Sequence, residues 1–360
     1  MRICRTERPA DGNRPVPAHR AILIVPNEFS LFGTKIVPNK LNSLGTISME
    51  GESMSDILEF LRSEGVSERI LKDVEDFRKF YRLKDGCLSR IPVPQYHYYG
   101  KEIWEEALST ILAGENLLLV GPKATGKNVL AMGLSAAFRR PEWDVSFYIN
   151  TDAGSLIGQD TFENGRVTLR KGPILQCAEE GGFGVLDEIN MAKNESLAVL
   201  HAALDFRRII DVPGYNRITL SDATRFIGTM NYGYAGTREI NEALASRFMI
   251  IQMPVITEQN LKKLIRDKFP ELREEYLTQF AQLFSDVRRK CEGGEISTKA
   301  LDLRGLLAAI RMMSRGLPAV QALQLGIVNK CFDEYERQLV QDMIAVRFPG
   351  DLGHDQMFAE

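Results

Sequence analysis

Apolar residues recur with two different periods along the chain, and the change of period marks its organisation. Downstream of Ser55, apolar positions three and four residues apart predict two amphipathic helices. These positions are Ile57, Leu58, Phe60, Leu61, Ile70, Leu71, Val74, Phe77 and Phe80. A proline-bracketed aromatic segment, Ile91 to Tyr99, follows and predicts a domain boundary.

Beyond this boundary, short apolar runs alternate with helical segments. Helices are predicted near 101–113 and 126–138. Strands are predicted at Leu117–Val120, Phe147–Ile149, Gly184–Leu186, Phe226–Thr229 and Met249–Gln252. Strands that alternate with helices predict a parallel sheet covered on both faces. Asn164-Gly165 and Pro213-Gly214, each between short apolar runs, predict two hairpins that interrupt this core.

After Pro254 the pattern is helical throughout, with helices expected over 258–268, 271–290, 299–314 and 318–345. The fold class is therefore α/β with a C-terminal helical lid. Residues 1–48 contain five prolines and no sustained period, so we expect a poorly structured arm or an appended segment before a start at Met49 or Met54. The predicted domains are the arm 1–48, a helical subdomain and linker 49–94, the α/β core 95–255, the lid 256–348 and a tail 349–360.

A glycine-rich segment directly follows the first predicted strand and opens a helix. Glycines at both of its ends let the backbone wrap around phosphate oxygens, and helix-start N–H groups and Lys127 add positive charge. The segment predicted to bind nucleotide comprises Gly121, Pro122, Lys123, Ala124, Thr125, Gly126, Lys127, Asn128 and Val129. Asn128 occupies the position where this motif normally has Ser or Thr for Mg²⁺, so its amide oxygen is the candidate ligand.

Polar residues end the later strands. Asp187 and Glu188 close one strand, where Asp187 is predicted to hold the metal's water shell and Glu188 to orient the attacking water. Asn231 ends the next strand, which is expected to lie between those of the phosphate loop and the acidic pair, and could contact the γ-phosphate or the water. Arg247 precedes the last strand and cannot easily reach its own phosphate loop, so it is predicted to act on a neighbour's ATP.

Composition narrows the functional class. The chain has 360 residues, 45 basic and 48 acidic, and the resulting net charge of −3 makes nucleic acid an unlikely ligand. The five cysteines never show Cys-x-x-Cys spacing, which indicates neither a disulfide framework nor a zinc site. The longest apolar stretch near the start, Ala21 to Val25, is too short for a signal peptide or a membrane span. We therefore expect a cytoplasmic protein.

The order of these motifs resembles that of the MoxR-type and dynein-related AAA+ ATPases. The motifs are the phosphate loop, Leu186-Asp187-Glu188-Ile189-Asn190, the segment Thr229 to Leu244, and Ser246-Arg247-Phe248. The resemblance covers roughly residues 95 to 330. It implies a P-loop AAA+ core with a five-stranded parallel sheet in the order 5-1-4-3-2, a helical lid, Mg²⁺ and ATP as ligands, and a homo-hexameric ring with ATP between subunits.

The resemblance also implies roles outside the core motifs. The two hairpins would be insertions that touch substrates or partners, and the lid would supply a cation to the nucleotide of its own subunit. Arg304 is the preferred candidate for that cation and Lys299 the second. Tyr98 and Tyr99 could shape an adenine pocket, although aromatic residues at such a place more often serve the packing of the linker.

Relatives of this type help to mature or activate metalloenzymes and other complexes, often with a partner that carries a von Willebrand A domain. The chain lacks an Asp-x-Ser-x-Ser motif, so such a partner would be a separate polypeptide. We therefore expect an ATP-dependent remodelling chaperone. Two alternatives remain open: a restriction-type motor that prefers GTP, and a nucleotide-gated scaffold with little hydrolysis, which Asn128 suggests.

Overall fold

The computed structural model describes residues 56–83, 85–232, 239–350 and 352–359, and the predicted arm 1–48 lies outside them. Two N-terminal helices, α1 (Ile57–Ser63) and α2 (Glu68–Phe80), confirm the amphipathic pattern. The buried side chains of Leu61 and Leu71 pack in the same apolar cluster as Trp104 of the α/β core. A 3₁₀ helix over Asp85–Arg90 then leads into the linker.

The α/β core carries its helices and strands in the alternating order that the sequence predicts. Its elements are α3 (Lys101–Leu112), β1 (Leu117–Val120), α4 (Lys127–Ala137), β2 (Glu142–Ser146), α5 (Ala153–Ile157), β3 (Gly158–Glu163), β4 (Arg166–Lys171), α6 (Pro173–Glu180), β5 (Phe183–Asp187), α7 (Asn194–Leu197), α8 (His201–Leu204), β6 (Ile209–Ile210), β7 (Ile218–Thr219), β8 (Arg225–Met230), α9 (Glu242–Ala245) and β9 (Met249–Gln252). Two further 3₁₀ helices cover Ile189–Met191 and Ala198–Leu200.

Five of these strands form one parallel sheet in the order β2-β5-β8-β1-β9. Counted along the chain within this sheet, that order is 5-1-4-3-2 read from β9, as predicted. All four residues of β1 are buried, because helices cover both faces of the sheet. The carboxyl ends of β1, β8 and β5 consequently meet at one edge of the sheet.

The prediction of a strand at Phe147–Ile149 is wrong, because the strand lies at Glu142–Ser146. This edge strand alternates buried Trp143 and Val145 with exposed Asp144, so it has no continuous apolar run. Tyr148 and Ile149 are instead exposed in a turn that Thr151 closes through its hydroxyl. The apolar residues that suggested a strand therefore belong to the loop that follows β2.

Both predicted hairpins are present. In the first, β3 pairs with β4 around Asn164 and Gly165, which have φ values of 52° and 76° as a tight hairpin turn requires. In the second, β6 pairs with β7 and the connection contains Pro213-Gly214. The Tyr215 hydroxyl in this connection donates to Asp160 Oδ1 at 2.6 Å, which links the second hairpin to the first.

The C-terminal lid is helical, and of its four predicted helices only the first keeps its bounds; the second, predicted over 271–290, is observed at Glu274–Glu292. Its helices are α10 (Glu258–Lys268), α11 (Glu274–Glu292), α12 (Leu303–Met313), α13 (Ala319–Gly326), α14 (Glu334–Ala345) and α15 (His354–Met357), with a 3₁₀ helix at Val328–Lys330. The helix predicted over 299–314 begins only at Leu303, because the Asp302 side chain caps it by accepting from Gly305 N. The single helix predicted over 318–345 is divided, since Asp333 caps a new start for α14.

Two glycines set the closest approach within the lid. A Cβ at Gly305 of α12 would lie 2.0 Å from the carbonyl oxygen of Gly326 in α13, and a Cβ at Gly326 would lie 2.4 Å from Gly305 O. Only residues without a side chain allow the two backbones to meet this closely. In the described ranges, the lid included, no helix is long and apolar enough to cross a bilayer.

A buried carboxyl stands at the start of β2. Glu142 is 8% exposed, and its Oε2 atom has no hydrogen-bond partner among the residues that the structure describes. Burial, the largest cause, raises the pKa of this carboxyl to about 7. The folded protein therefore holds a proton at Glu142 in a pH range where the unfolded chain has lost it.

We predict that this proton makes stability depend on pH. Because the folded pKa is raised, the unfolded state ionises first, so the free energy of unfolding falls between about pH 4.5 and pH 7 and is level above that range. The loss from this group is on the order of 3 kcal/mol. Urea denaturation of the wild type and of Glu142→Gln from pH 4.5 to 8 should show curves that diverge over this window. Parallel curves would contradict the assignment.

Candidate functional site

The glycine-rich segment joins β1 to α4, as the sequence predicts. Gly126 precedes α4 with a φ of 83°, and Ala124 also lies in the left-handed region with a φ of 63°. A Cβ at Gly121 would lie 2.9 Å from Met253 O, so a side chain at this position would clash with the backbone after β9. These conformations bring the loop to the first turn of α4, whose unpaired N–H groups make an anion site.

Lys127 lies in the first turn of α4 and turns its ammonium group back into the loop. Its Nζ atom donates to Gly121 O at 3.0 Å, to Pro122 O at 2.8 Å and to Thr125 Oγ1 at 3.3 Å. Burial lowers the pKa of this amine to about 8, while the nearby Asp187 and Glu188 act in the opposite direction. The cation is thus held by neutral oxygens, and an anion bound in the loop would favour its charged form.

The two acidic residues sit at the carboxyl end of β5, and a threonine of β8 holds both. The Thr229 hydroxyl donates to Asp187 Oδ1 at 2.6 Å and accepts from the Glu188 backbone N–H at 3.0 Å. Glu188 takes a left-handed conformation with a φ of 55°. No role for Thr229 was predicted from the sequence. The expected neighbourhood of the strands now named β5 and β8 was the signal that could have revealed its contact with the two acids.

Asn231 lies one residue beyond β8 and contacts the second acid directly. Its Nδ2 atom donates to Glu188 Oε1 at 3.1 Å, and its carbonyl oxygen accepts from Asn190 Nδ2 at 2.8 Å. The structure therefore brings together Lys127, Asp187, Glu188 and Asn231 near the carboxyl ends of β1, β5 and β8. Lys123 is exposed on the loop, and Asn128 is exposed on the first turn of α4.

The linker tyrosines contact both the loop and the lid. A Cβ at Gly126 would lie 3.0 Å from the Tyr98 ring, whose backbone carbonyl accepts from Trp104 Nε1 at 2.8 Å. Burial raises the pKa of the Tyr98 phenol to about 12. Asn260 of α10 donates to Tyr99 O at 2.9 Å. Packing of the linker thus accounts for both tyrosines, and Tyr98 also borders the nucleotide loop.

The two predicted arginines lie apart from this cluster. The Arg247 guanidinium donates to His201 O and to Ala243 O and pairs with Asp205. Arg304 is exposed in the first turn of α12, and within the described part of the chain its side chain has no hydrogen bond to the loop or to the acids. The alternative lid cation, Lys299, lies 5.2 Å from the centre of the Phe332 ring.

The residues of the cluster fit a nucleoside triphosphate with Mg²⁺. A side chain at Gly121 would clash, and the loop offers N–H groups to an anion. Among the described residues, the hydrogen-bond partners of the Lys127 ammonium are neutral oxygens that a phosphate could replace. Asp187 and the amide of Asn128 supply the oxygen atoms that a hard cation prefers. Asn231 and Glu188 form the polar pair beside them.

Comparison with known proteins supports the nucleotide-binding part of this interpretation. Residues 116–248 match the AAA domain family, dynein-related subfamily. The chain is 33% identical over 265 residues to the uncharacterized protein YojN of Bacillus subtilis (strain 168), covering 72% of this chain and 87% of that protein. It is 32% identical over 260 residues to the uncharacterized protein SH1500 of Staphylococcus haemolyticus, covering 71% of this chain and 98% of that protein.

A solved structure of a protein from Cytophaga hutchinsonii aligns with 81% of this chain and 91% of that chain. The sequence identity is 16% and the TM-score is 0.40, and at this distance the likeness carries no argument about function.

Proposed function

The chain belongs to the dynein-related subfamily of AAA domains, and we propose that it is a magnesium-dependent ATPase of the MoxR type that remodels or matures a protein partner. An AAA domain implies nucleotide binding; hydrolysis and remodelling are the proposal. The observation that carries it is the meeting of Lys127, Asp187, Glu188 and Asn231 at one edge of the sheet.

The phosphate loop and Lys127 would bind the triphosphate. Loop N–H groups and the α4 N-terminus favour an anion, and phosphate oxygens would replace Gly121 O and Pro122 O as partners of the ammonium. Asn128 and Asp187 would hold Mg²⁺, the latter through its water shell. When bound, this ion neutralises charge on the β- and γ-phosphate oxygens.

Glu188 and Asn231 would prepare the attacking water. The carboxylate of Glu188 can accept a proton from the water, and the Asn231 amide at 3.1 Å restrains the carboxylate while offering a second N–H to the γ-phosphate. Thr229 fixes the Glu188 backbone, so the side chain starts from one position rather than many. Positioning of this kind supports hydrolysis over binding alone.

The site as proposed needs a second subunit. Arg247 would complete a neighbour's site in a homo-hexameric ring, and Arg304, or Lys299 in its place, would contact the nucleotide of its own subunit from the lid. The client would be a protein, presented with or without a separate von Willebrand A domain partner. The exposed Phe162 and Val167, which are paired across the first hairpin, supply apolar surface for such a contact.

Asn128 supports a second candidate, a scaffold that binds nucleotide and hydrolyses it slowly. Mg²⁺ requires a near-ideal octahedron at short distance, and an amide side chain is longer than the usual hydroxyl. A steady-state phosphate-release assay separates this scaffold from an active motor. Competition of ATP against GTP in filter binding tests the restriction-type alternative.

We predict that Glu188→Gln separates binding from turnover. The glutamine oxygen can still accept from Asn231, but it cannot take a proton from water, so ATP binding should persist while turnover falls about 100-fold or more, roughly 3 kcal/mol of barrier. Filter binding and phosphate release measure the two effects. Glu195→Gln, at an exposed acid outside the cluster, is the control. Equal loss of binding and turnover would indicate a structural role for Glu188.

We predict that Arg247→Ala subunits bind ATP normally but form inactive homogeneous rings. Mixing them with Glu188→Gln subunits should restore part of the turnover, because each intact site can then receive an intact arginine from its neighbour. Phosphate release is measured across mixing ratios, with size-exclusion chromatography to follow assembly. Full turnover by a dilute monomer would refute the assignment.

We predict that Asn128→Thr raises the rate of ATP hydrolysis by about tenfold, on the order of 1.4 kcal/mol. A threonine hydroxyl is more compact, so the Mg²⁺ concentration for half-maximal activity should also fall. Nucleotide affinity should change little, since Lys127 and the loop amides do not depend on this ligand. An unchanged or lower rate at saturating Mg²⁺ would remove the main support for the scaffold.

A further inference from the structure

The Arg247 guanidinium is fixed by three oxygens of its own chain. Nε donates to the carbonyl of His201 at 3.1 Å, Nη1 donates to the carbonyl of Ala243, and Nη2 lies 3.4 Å from Asp205 Oδ2. The arginine side chain is 22% exposed. Of its five N–H donors, these contacts use one on each nitrogen, so that among the described residues one N–H on Nη1 and one on Nη2 stay available for an external oxygen.

Asp205, in contrast, is held from two sides. The Arg207 guanidinium binds its carboxylate in a bidentate manner, with Nη2 at 2.6 Å from Oδ2 and Nε at 3.0 Å from Oδ1. The Arg207 backbone N–H also donates to Oδ1 at 3.0 Å. The Asp205 side chain is only 13% exposed. The Arg207 guanidinium is the main cause that lowers the pKa of Asp205 to about 2, so the carboxylate stays charged at any working pH.

We propose that Asp205 is the positioning residue for Arg247, holding the guanidinium plane so that its two spare N–H groups face the neighbouring subunit. This inference rests on the proposed role of Arg247 at that neighbour's ATP. The two carbonyl contacts alone leave the Nη2 end of the guanidinium without a fixed partner. Asp205 supplies it, and because Arg207 occupies the shorter contacts to the carboxylate, Arg247 keeps most of its own charge for phosphate.

The position of Asp205 in the chain would couple the orientation of Arg247 to movement of the second hairpin. Asp205 follows α8 and stands just before the hairpin strand β6, and its own carbonyl accepts from Arg208 N at 3.0 Å. The next residue, Phe206, is 92% exposed. A displacement of this hairpin base would therefore move the carboxylate that orients Arg247, while the two carbonyl contacts of Arg247 come from α8 and α9.

The test uses the full-length assembled protein and the variants Asp205→Asn and Asp222→Asn. Asparagine keeps the size of the side chain and an oxygen for the Arg207 backbone N–H, but loses the charge that attracts Nη2. We expect its kcat for ATP to fall about fivefold to tenfold, with KM and ATP affinity within twofold of the wild type. Asp222→Asn, the matched control, removes the charge of an exposed aspartate between β7 and β8 and should stay within twofold of wild-type kcat.

Two readouts separate positioning from a structural role. In an Arg247→Ala background, Asp205→Asn should cause no further loss, because the two residues act through one group. Mixing Asp205→Asn with Glu188→Gln subunits should restore part of the turnover, since the second type carries an intact Asp205 and Arg247. An additive loss in the double variant, or no recovery on mixing, would overturn the proposal. Wild-type kcat in Asp205→Asn would overturn it as well.

These outcomes are distinguishable from failure of the ATPase proposal itself. Absence of turnover in the wild type would remove the proposed function. Wild-type turnover in Arg247→Ala rings would remove the role of Arg247, and this inference with it. Slow Arg247→Ala rings beside fully active Asp205→Asn rings would refute the positioning role of Asp205 alone.

Discussion

The pairing of β5 with β8 is the constraint on which the proposed site depends. The two strands run parallel with Leu186 opposite Gly228, and this register places Thr229 beside the end of β5, where its hydroxyl reaches Asp187 and the Glu188 backbone. A slip of one residue would turn Thr229 to the other face of the sheet. Asn231 would then also lose its contact with Glu188. The chemistry is therefore a consequence of backbone register.

Lys127 and Arg247, the second of which is proposed to act on a neighbour's ATP, are held in similar ways. Lys127 is held by two carbonyls and a hydroxyl, and Arg247 by two carbonyls and a carboxylate that Arg207 already binds. Carbonyl and hydroxyl oxygens fix the direction of a cation without cancelling its charge, and the Asp205 carboxylate is already balanced by the Arg207 guanidinium. An anion arriving at either group would thus meet donors that need little reorganisation, which is the condition under which electrostatic stabilisation is most effective.

The sequence predicted the phosphate loop and the acidic strand end because each depends on local patterns, such as the buried run at β1 or the glycines around Lys127, whereas the sheet order followed from the family resemblance. It failed where a tertiary contact decides. The strand at Glu142–Ser146 alternates at a sheet edge and resembles a loop in composition. The division between α13 and α14 is an exception, because the cap at Asp333 is a local signal that the helical periodicity hid. Thr229 and Asp205 acquire roles only through partners more than 40 residues away.

The backbone contact between Gly305 and Gly326 has a mechanical meaning. Helices that touch through carbonyl and Cα atoms have no flexible side chains between them to absorb strain. We therefore expect α12 and α13 to move as one rigid unit. Arg304 precedes Gly305 at the start of α12, and the exposed Leu325 precedes Gly326 at the end of α13, so the contact between the two glycines brings these residues to the same end of the helix pair. A small rotation imposed at the first turn of α12 is therefore passed directly, through backbone contact, to the last turn of α13.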